Sequence, residues 1–147
     1  MKRLFSFLLL TSCIACHSPG READRTTEIF SYYLQNAFSQ PIPVQSRCYI
    51  LVPETGCKGC RQSELNLLRD AIGKNSNESI EYIFSPKVPV PASFENSPQL
   101  KIDSLSLIDK INLPISNITI IRTENKKVTL LKEITADRMD SIGVYIK

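Results

Sequence analysis

The chain has 147 residues, of which 42% are hydrophobic and 22% are charged. The apolar content is sufficient for a folded core, which argues against disorder outside the amino-terminal tether, and the length fits one domain. Basic residues number 18 and acidic residues 15. No basic run interleaved with aromatic residues occurs, so the pattern excludes nucleic acid as an indicated partner.

The first sixteen residues have the pattern of a bacterial lipoprotein signal. Lys2 and Arg3 precede a short apolar run, Leu4 to Leu10, which is shorter than the about 20 residues that span a bilayer. The following Leu-Thr-Ser-Cys makes Cys13 the expected lipidation site, with Cys16 as a second candidate. An ordinary signal peptide is the alternative. We therefore expect a lipid-anchored protein that faces the periplasm, where disulfides persist; inner and outer membrane stay open.

Residues 17–26 are polar and include Pro19 and Gly20, which predicts a tether between the lipid anchor and a single domain over residues 27–147. Helical spacing of apolar side chains predicts a helix from about Glu22 to Ser39, before Pro41. These apolar side chains are Ile29, Phe30, Tyr33, Leu34, Ala37 and Phe38.

The segment from Arg47 to Pro53 reads RCYILVP, which predicts a strand buried on both faces. A helix is predicted after it from an apolar stripe that begins at Leu65, with Gly73 at its end. Ser79 to Ser85 predicts a second strand, and a right-handed crossover would make it parallel to the first.

The carboxyl-terminal half is predicted to close the sheet. Four prolines within residues 86–98 predict a long loop without regular structure, and the apolar spacing of residues 100–111 predicts a third helix. Two strands are predicted around a turn at Glu124 to Lys127, followed by a short final helix after Asp137. The predicted fold class is α/β, with a mixed sheet, helices on both faces and an extra helix at the amino-terminal end.

Two cysteines, Cys57 and Cys60, stand where the first strand gives way to a helix, separated by Lys58 and Gly59. Sulfurs three residues apart across a first helical turn can reach bonding distance, about 2.05 Å. Unpaired N–H groups and the positive end of the helix dipole stabilise a thiolate there, and the thiolate is the reacting species. We expect Cys57 to be exposed with a depressed pKa, and Cys60 to lie beneath the turn.

The neighbours of the pair favour the same chemistry. Lys58 and Arg61 add positive charge that favours the thiolate. Gly56 and Gly59 are expected to leave backbone open to the close approach of a partner polypeptide. Glu54 is a candidate proton acceptor for Cys60, although a solvated carboxylate at the strand end is the simpler interpretation.

With these features the chain resembles the thioredoxin-fold family, and more narrowly the membrane-tethered thioredoxin-like lipoproteins of bacteria. The resemblance runs from about Cys48 to Lys147 and depends on the buried strand, the Cys-Lys-Gly-Cys motif and the closing hairpin and helix. It implies a thiol–disulfide oxidoreductase in which Cys57 attacks a disulfide and Cys60 resolves the mixed intermediate. Its implied partners are protein thiols and disulfides of the cell envelope, and it implies no cofactor.

The sequence departs from the family pattern at two positions. Gly56 stands where the family usually has an aromatic residue. The family also usually has a cis-proline directly before the first strand of the closing hairpin. Here Pro114 comes about three residues too early, so that Asn117 or Ile118 takes that position.

Several alternatives compete with the redox interpretation. A structural zinc site needs four Cys or His ligands, but His17 is the single histidine and lies in the predicted tether. A copper site needs a further soft ligand besides the cysteine pair, which disfavours a copper carrier. A peroxidase of this fold usually has a Thr next to the attacking Cys, whereas Thr55 is two residues away from Cys57, which disfavours a peroxidase. Cys48 is expected to pack as a buried apolar side chain, with a third redox cysteine as the alternative.

A structural disulfide between Cys57 and Cys60 is the remaining alternative for the pair, although so short a loop removes little entropy from the unfolded chain. The competing function from another class is a non-catalytic binding lipoprotein of the same fold. In that case the proline-rich residues 86–98 are expected to form a recognition loop.

Overall fold

The structure is a computed structural model, and it describes residues 19–56, 59, 61–66, 79–95 and 97–135. It is mixed α/β, with a five-stranded mixed sheet. The strands are β1 (Arg47–Val52), β2 (Ile80–Phe84), β3 (Leu100–Ile102), β4 (Thr119–Glu124) and β5 (Lys127–Glu133). The helices are α1 (Pro19–Phe38), α2 (residues 61–66) and α3 (Ala92–Glu95). In these ranges we find no helix that combines the length and the apolar character needed to cross a membrane.

The sheet has the strand order β3-β2-β1-β4-β5, with β1 at its centre. β1 and β2 run parallel, as do β2 and β3. β4 runs antiparallel to both β1 and β5. The predicted parallel pair and closing hairpin are therefore confirmed. The hairpin turns at Asn125 and Lys126, whose φ angles of 51° and 63° match the right-handed twist of the two strands.

The side chains of β1 alternate between two hydrophobic clusters, one on each face of the sheet. Cys48, Ile50 and Val52 belong to the first core, and Tyr49 and Leu51 belong to the second core. Successive side chains of a strand point to opposite faces, so both faces of β1 are buried, as its apolar sequence predicts.

The amino-terminal helix α1 covers the second core. Phe30, Tyr33 and Leu34 are fully buried there, and the ring of Phe30 meets the ring of Tyr49 edge-on at 5.1 Å between centroids. The predicted apolar face is thus confirmed. α1 begins at Pro19, three residues before the predicted start, so residues 19–26 of the predicted tether are helical, and their role as a tether stays a prediction.

Two short helices pack on the opposite face, in the first core. Leu65 of α2 is buried there, and so is Phe94 of α3, whose ring lies 5.0 Å from the ring of Tyr82. The prediction that residues 86–98 lack regular structure is therefore wrong in part. The helical turn forms because it brings Phe94 under the sheet.

The predicted third helix over residues 100–111 is wrong. Leu100–Ile102 instead forms β3, which extends the sheet beside β2. The chain then turns at Asp103, a fully buried residue whose carboxylate accepts hydrogen bonds from the backbone N–H of Ile108 at 2.6 Å and of Leu105 at 3.3 Å. Pairing with β2 and this carboxylate-centred turn therefore replace the helix that the apolar spacing predicts.

Two further predicted segments lie outside the described residues. They are the continuation of the helix from residue 67 to Gly73 and the final helix after Asp137.

Candidate functional site

The predicted redox residues Cys57, Lys58 and Cys60 lie outside the described residues, as do the lipidation candidates Cys13 and Cys16. The structure does describe the turn that leads to Cys57, formed by Glu54, Thr55 and Gly56, and the helix that follows Cys60. We call residues 54–56 the approach turn. Its contacts define the surroundings in which the pair would act.

The backbone of the approach turn is held first by Asp109, which follows β3. The N–H of Glu54 donates a hydrogen bond to Asp109 Oδ1 at 2.7 Å, and Ser85 Oγ donates to Asp109 Oδ2 at 2.7 Å. Glu54 follows β1 and Ser85 follows β2. One carboxylate therefore joins the carboxyl ends of the two parallel strands.

Arg61 holds the same turn from α2. Its Nη2 donates hydrogen bonds to the carbonyl oxygens of Glu54 at 2.6 Å and of Thr55 at 2.8 Å. Backbone carbonyls are strong acceptors that a guanidinium satisfies well. Arg61 thus ties the start of α2 to the turn that follows β1.

Glu54 is exposed at the strand end, and its carboxylate forms an ion pair with Lys87 at 2.8 Å. The hydrogen bond with Glu54 raises the pKa of Lys87 above its ordinary value. The prediction of a surface carboxylate at this position fits the structure, with a cation beside it that the sequence pattern did not indicate. The carboxylate of Glu54 therefore already has a cationic partner.

Gly56 is the point of closest contact in the approach turn. Its φ of 98° lies in the left-handed region, and a Cβ placed on it would lie 2.7 Å from Ser116 O and 2.9 Å from Asn117 Oδ1. Residues 116 and 117 of the chain itself therefore fill the space of a side chain at this position, although Gly56 is exposed, as expected. Gly59 fits the expectation, since no atom would approach its Cβ within 4 Å.

The segment against Gly56 precedes β4 and carries no proline at the contact. We call Ser116 and Asn117 the facing segment. Three donors converge on Oε1 of Glu133 from this segment: Ser116 N at 2.5 Å, Ser116 Oγ at 2.8 Å and Asn117 N at 3.3 Å. The resemblance predicts Asn117 or Ile118 at the position of the family's proline, whereas the sequence analysis did not single out Ser116 or Glu133.

Glu64 is a carboxylic acid that the sequence reasoning missed. It lies on α2 and is buried, and this burial raises the pKa of its carboxyl above the ordinary value of 4.5, against the opposing charge of Arg61. The available signal was its spacing, four residues after Cys60 in a predicted helix, at which side chains are neighbours on one helix face.

A shallow groove of about 300 Å³ runs beside the approach turn. Charged, polar and apolar side chains from the approach turn, from α2 and from the loop after β2 line it together. Its lining includes Glu54, Arg61, Gln62, Leu65, Lys87, Val88 and Pro89. Part of the proline-rich loop therefore does lie beside the candidate site.

Cys48 packs in the first core and is a free, buried cysteine. Burial raises the pKa of its thiol from the ordinary 9.0 to about 11, against the opposing effect of Arg122. A thiol with this pKa is almost entirely protonated at neutral pH, so the structure favours a packing role for Cys48. Within the described ranges, no three His, Cys, Asp or Glu side chains are grouped so as to hold a metal ion.

The chain was also compared with protein-family models, with curated proteins and with solved structures. None of the three comparisons found a match.

Proposed function

We propose that the chain is a lipid-anchored thiol–disulfide oxidoreductase with a thioredoxin-like fold, facing the periplasm, in which Cys57 and Cys60 form the redox pair. The observation that carries the proposal is the approach turn. It leaves the buried central strand, is held by Asp109 and Arg61, and ends at Gly56 directly before Cys57. Such a fixed strand-to-helix junction is where a depressed thiol pKa is expected.

The sheet supports the thioredoxin-like part of the proposal. The resemblance implies two parallel strands at the centre and an antiparallel hairpin beside the first of them, and the order β2-β1-β4-β5 has that arrangement. Helices from different parts of the chain pack on both faces of this sheet. α1 and β3 are additions to the implied pattern.

The proposed reaction is thiol–disulfide exchange. The Cys57 thiolate attacks one sulfur of a partner disulfide, forming a mixed disulfide and expelling the partner's other sulfur as a thiolate, which takes up a proton. The Cys60 thiolate then attacks the Cys57 sulfur, which releases the second partner thiolate and closes the Cys57–Cys60 bond. The partner is reduced and the pair is oxidised; the reverse sequence oxidises a partner dithiol.

Deprotonation of Cys60 needs a base, and we assign that role to Glu64 rather than to Glu54. Glu54 is exposed and paired with Lys87, whereas Glu64 is buried with a raised pKa. A carboxylate with a raised pKa is a better proton acceptor near neutral pH.

The deciding test is a trapping experiment with the Cys60→Ser variant. Without the resolving thiol, Cys57 should accumulate mixed disulfides with envelope proteins, visible as bands that disappear on reduction. The Cys57→Ser, Cys60→Ser double variant is the matched control and should form none, although both proteins retain Cys48. An empty trap in Cys60→Ser would count against the oxidoreductase.

The second candidate is a non-catalytic binding lipoprotein whose Cys57–Cys60 bond is structural. The observation that favours it is the facing segment, which places Ser116 and Asn117 beside the approach turn where the family has a proline. Thiol alkylation across graded redox buffers separates the two functions. A pair that stays oxidised below about −300 mV would behave as a structural disulfide.

Membrane attachment is tested separately from the chemistry. Radiolabelled palmitate should be incorporated into the wild-type protein and lost in the Cys13→Ser variant. Loss in Cys16→Ser instead would move the lipidation site to Cys16, and incorporation into neither the wild type nor the variants would contradict the proposed anchor.

A further inference from the structure

A groove lies at the edge of the second core, between α1 and the segment that follows β3. Its volume is about 490 Å³, within the range of about 300–1,000 Å³ that is typical of binding sites. We call it the edge groove. Its lining includes Glu28, Ile29 and Tyr32 of α1 and Leu107, Lys110 and Ile111 of the segment.

Both walls of the edge groove are fixed by the fold. α1 is held by Phe30 and Tyr33, which are fully buried in the second core. On the other wall Ile108 is buried in the same core, and the N–H of Ile111 donates a hydrogen bond to the carbonyl of Leu107 at 2.9 Å. The groove is therefore formed before anything binds, and a partner would not have to supply the free energy of ordering it.

The edge groove presents apolar surface to solvent. Its three aliphatic side chains are only partly buried against the second core, and Tyr32 has 66% of its surface exposed. Leu105 is exposed close by, since its carbonyl accepts a hydrogen bond from Lys110 Nζ at 3.1 Å. An exposed tyrosine beside an apolar groove is the kind of side chain that contributes most at protein interfaces.

The two charged side chains of the groove have opposite signs and come from opposite walls. Glu28 on α1 and Lys110 on the segment are both exposed. In the described part of the chain they form no ion pair with each other, and Glu28 forms none with any other cation. The hydrogen bond of Lys110 goes to a neutral carbonyl, so both charges are open to a partner.

This distribution of charge makes the edge groove complementary to itself. A two-fold axis places the same surface on both sides of an interface, so each contact between two different residues occurs twice, with the copies exchanged. Glu28 of each copy can then meet Lys110 of the other, and neither charge is left unmatched. A partner that offered a single charge would satisfy only one of the two.

We propose that the edge groove is a self-association surface on which a second copy of this chain docks about a two-fold axis. Tyr32 of each copy enters the groove of the other, and Glu28 of each copy pairs with Lys110 of the other. The buried tyrosines supply most of the affinity, whereas the exposed ion pairs set orientation and partner choice. The inference depends on no cysteine and goes beyond the proposed function.

The test is sedimentation velocity of the full chain over a concentration series, under reducing conditions and in a density-matched mild detergent. The wild type should shift from monomer to dimer as the concentration rises. Glu28→Lys and Lys110→Glu each place like charges opposite one another at both ends of the interface, so each should raise the Kd of the dimer about tenfold or more. An equimolar mixture of the two variants should form a heterodimer with a Kd near that of the wild type, because every like-charge contact becomes an opposite-charge contact.

Two further variants locate the interface. Tyr32→Ala should raise the Kd of the dimer about tenfold or more, and it should remain folded because Tyr32 is exposed. The matched control is Glu124→Lys, which reverses an exposed carboxylate of the hairpin, outside the groove, and should leave the Kd unchanged. Circular dichroism of each variant separates weakened association from lost structure.

A wild-type chain that stays monomeric at every concentration would overturn the inference and assign the groove to another occupant, a small apolar ligand or a different protein. A dimer that neither charge reversal nor Tyr32→Ala weakens would place the interface elsewhere and overturn it too. Weakened variants that do not recover on mixing would overturn the pairing of Glu28 with Lys110. Recovery in the mixture supports the assignment, since an effect confined to one chain could not produce it.

Discussion

At the scale of single residues, the glycine before the Cys-Lys-Gly-Cys motif and the glycine within it differ in what surrounds them. Gly56 has a positive φ, and the facing segment fills the space of its missing side chain, whereas Gly59 is helical with open space around it. A side chain at Gly56 would meet both backbone strain and a steric clash. Two glycines that look equivalent in the sequence therefore differ in whether they tolerate substitution by a residue with a side chain.

We predict that Gly56→Ala lowers the free energy of unfolding by about 1–3 kcal/mol, because the left-handed backbone and the contact with Ser116 O both resist a Cβ. Gly59→Ala should instead raise it by about 0.5–1 kcal/mol, since alanine favours the helix. Urea denaturation followed by circular dichroism measures both. Equal effects of the two substitutions would contradict this account of the turn.

Cys48 gives a prediction on pH dependence. Its pKa is about 11 in the folded chain against an ordinary 9.0, so the folded state keeps the thiol proton after the unfolded state has lost it. Stability is then complete below pH 9 and falls as pH rises toward 11. We expect a loss of about 1 kcal/mol between pH 9 and pH 10 from this group.

The Cys48→Ala variant isolates that loss. The other tyrosines ionise in both proteins, so the difference in slope between wild type and variant reports Cys48 together with its effect on the pKa of Tyr82. Urea midpoints at pH 8, 9 and 10 supply the two curves. Parallel curves would show that the thiol is not buried as the structure places it.

At the scale of elements, the local sequence pattern was sufficient to predict a strand whose two faces are both buried. The sequence of β1 predicts a strand buried on both faces because apolar side chains occupy both faces. The hairpin is predicted from the residues of its turn. The pattern failed at residues 100–111, where helical spacing of apolar residues accompanies an edge strand and a turn. The pairing with β2 is a contact between residues that are distant in the sequence, so the spacing of apolar side chains within residues 100–111 does not predict it.

A buried ion cluster fixes that edge strand. Glu81 of β2 is buried, and its carboxylate contacts Arg47 of β1 and Lys101 of β3, the latter at 2.7 Å. Lys101 also reaches Gln40 Oε1 at 2.6 Å and lies 5.4 Å from the centre of the Phe38 ring. The carboxylate of Glu81 thus joins β1, β2 and β3, and Lys101 connects this cluster to the end of α1.

We predict that Glu81→Gln destabilises the protein by about 2–3 kcal/mol, because it leaves two cations without their shared anion in a partly buried site. The control is Asp24→Asn, which removes an exposed ion pair with Lys127. That pair should contribute less than about 0.5 kcal/mol. Chemical denaturation measures the free energy of unfolding of the two variants. If Glu81→Gln were as stable as Asp24→Asn, the cluster would not stabilise the fold.

At the scale of the whole molecule, α1 is a structural part of the domain. Its buried face covers the second core over the centre of the sheet. Its Thr27 hydroxyl accepts a hydrogen bond from Val128 N, at the start of β5, at 3.0 Å. A helix that precedes β1 and lies outside the segment on which the family resemblance rests therefore supplies one of the two layers that bury the sheet.

We predict that Phe30→Ala destabilises the entire domain by about 3–5 kcal/mol, since it removes a fully buried aromatic side chain from the second core. Tyr32→Ala, on the exposed face of the same helix, should cost less than about 0.5 kcal/mol. Hydrogen exchange of β1 amides in both variants checks that the effect is global. Loss of protection confined to α1 would show that the helix is an appendage.

The sequence predicts the centre of the candidate site from the spacing of two cysteines after a buried strand, and this stays a prediction because both cysteines lie outside the described residues. The contacts that support the approach turn could not be predicted in the same way. Asp109 lies 55 residues from Glu54, and Glu133 lies 17 residues from Ser116. Both are ordinary acidic residues in the sequence, and only the fold gives them their partners.

The carboxylate of Asp109 has a consequence for protein engineering. Residues 53–61 form a short cassette that looks portable, because it contains both cysteines and the arginine that closes the turn. Grafted into a different parallel sheet, the cassette would arrive without Asp109, which fixes its first amide, and without Ser116, which abuts its glycine. The recipient would gain the motif but lose its geometry, so a working transplant has to import the loop after β3 and the entry to β4 as well.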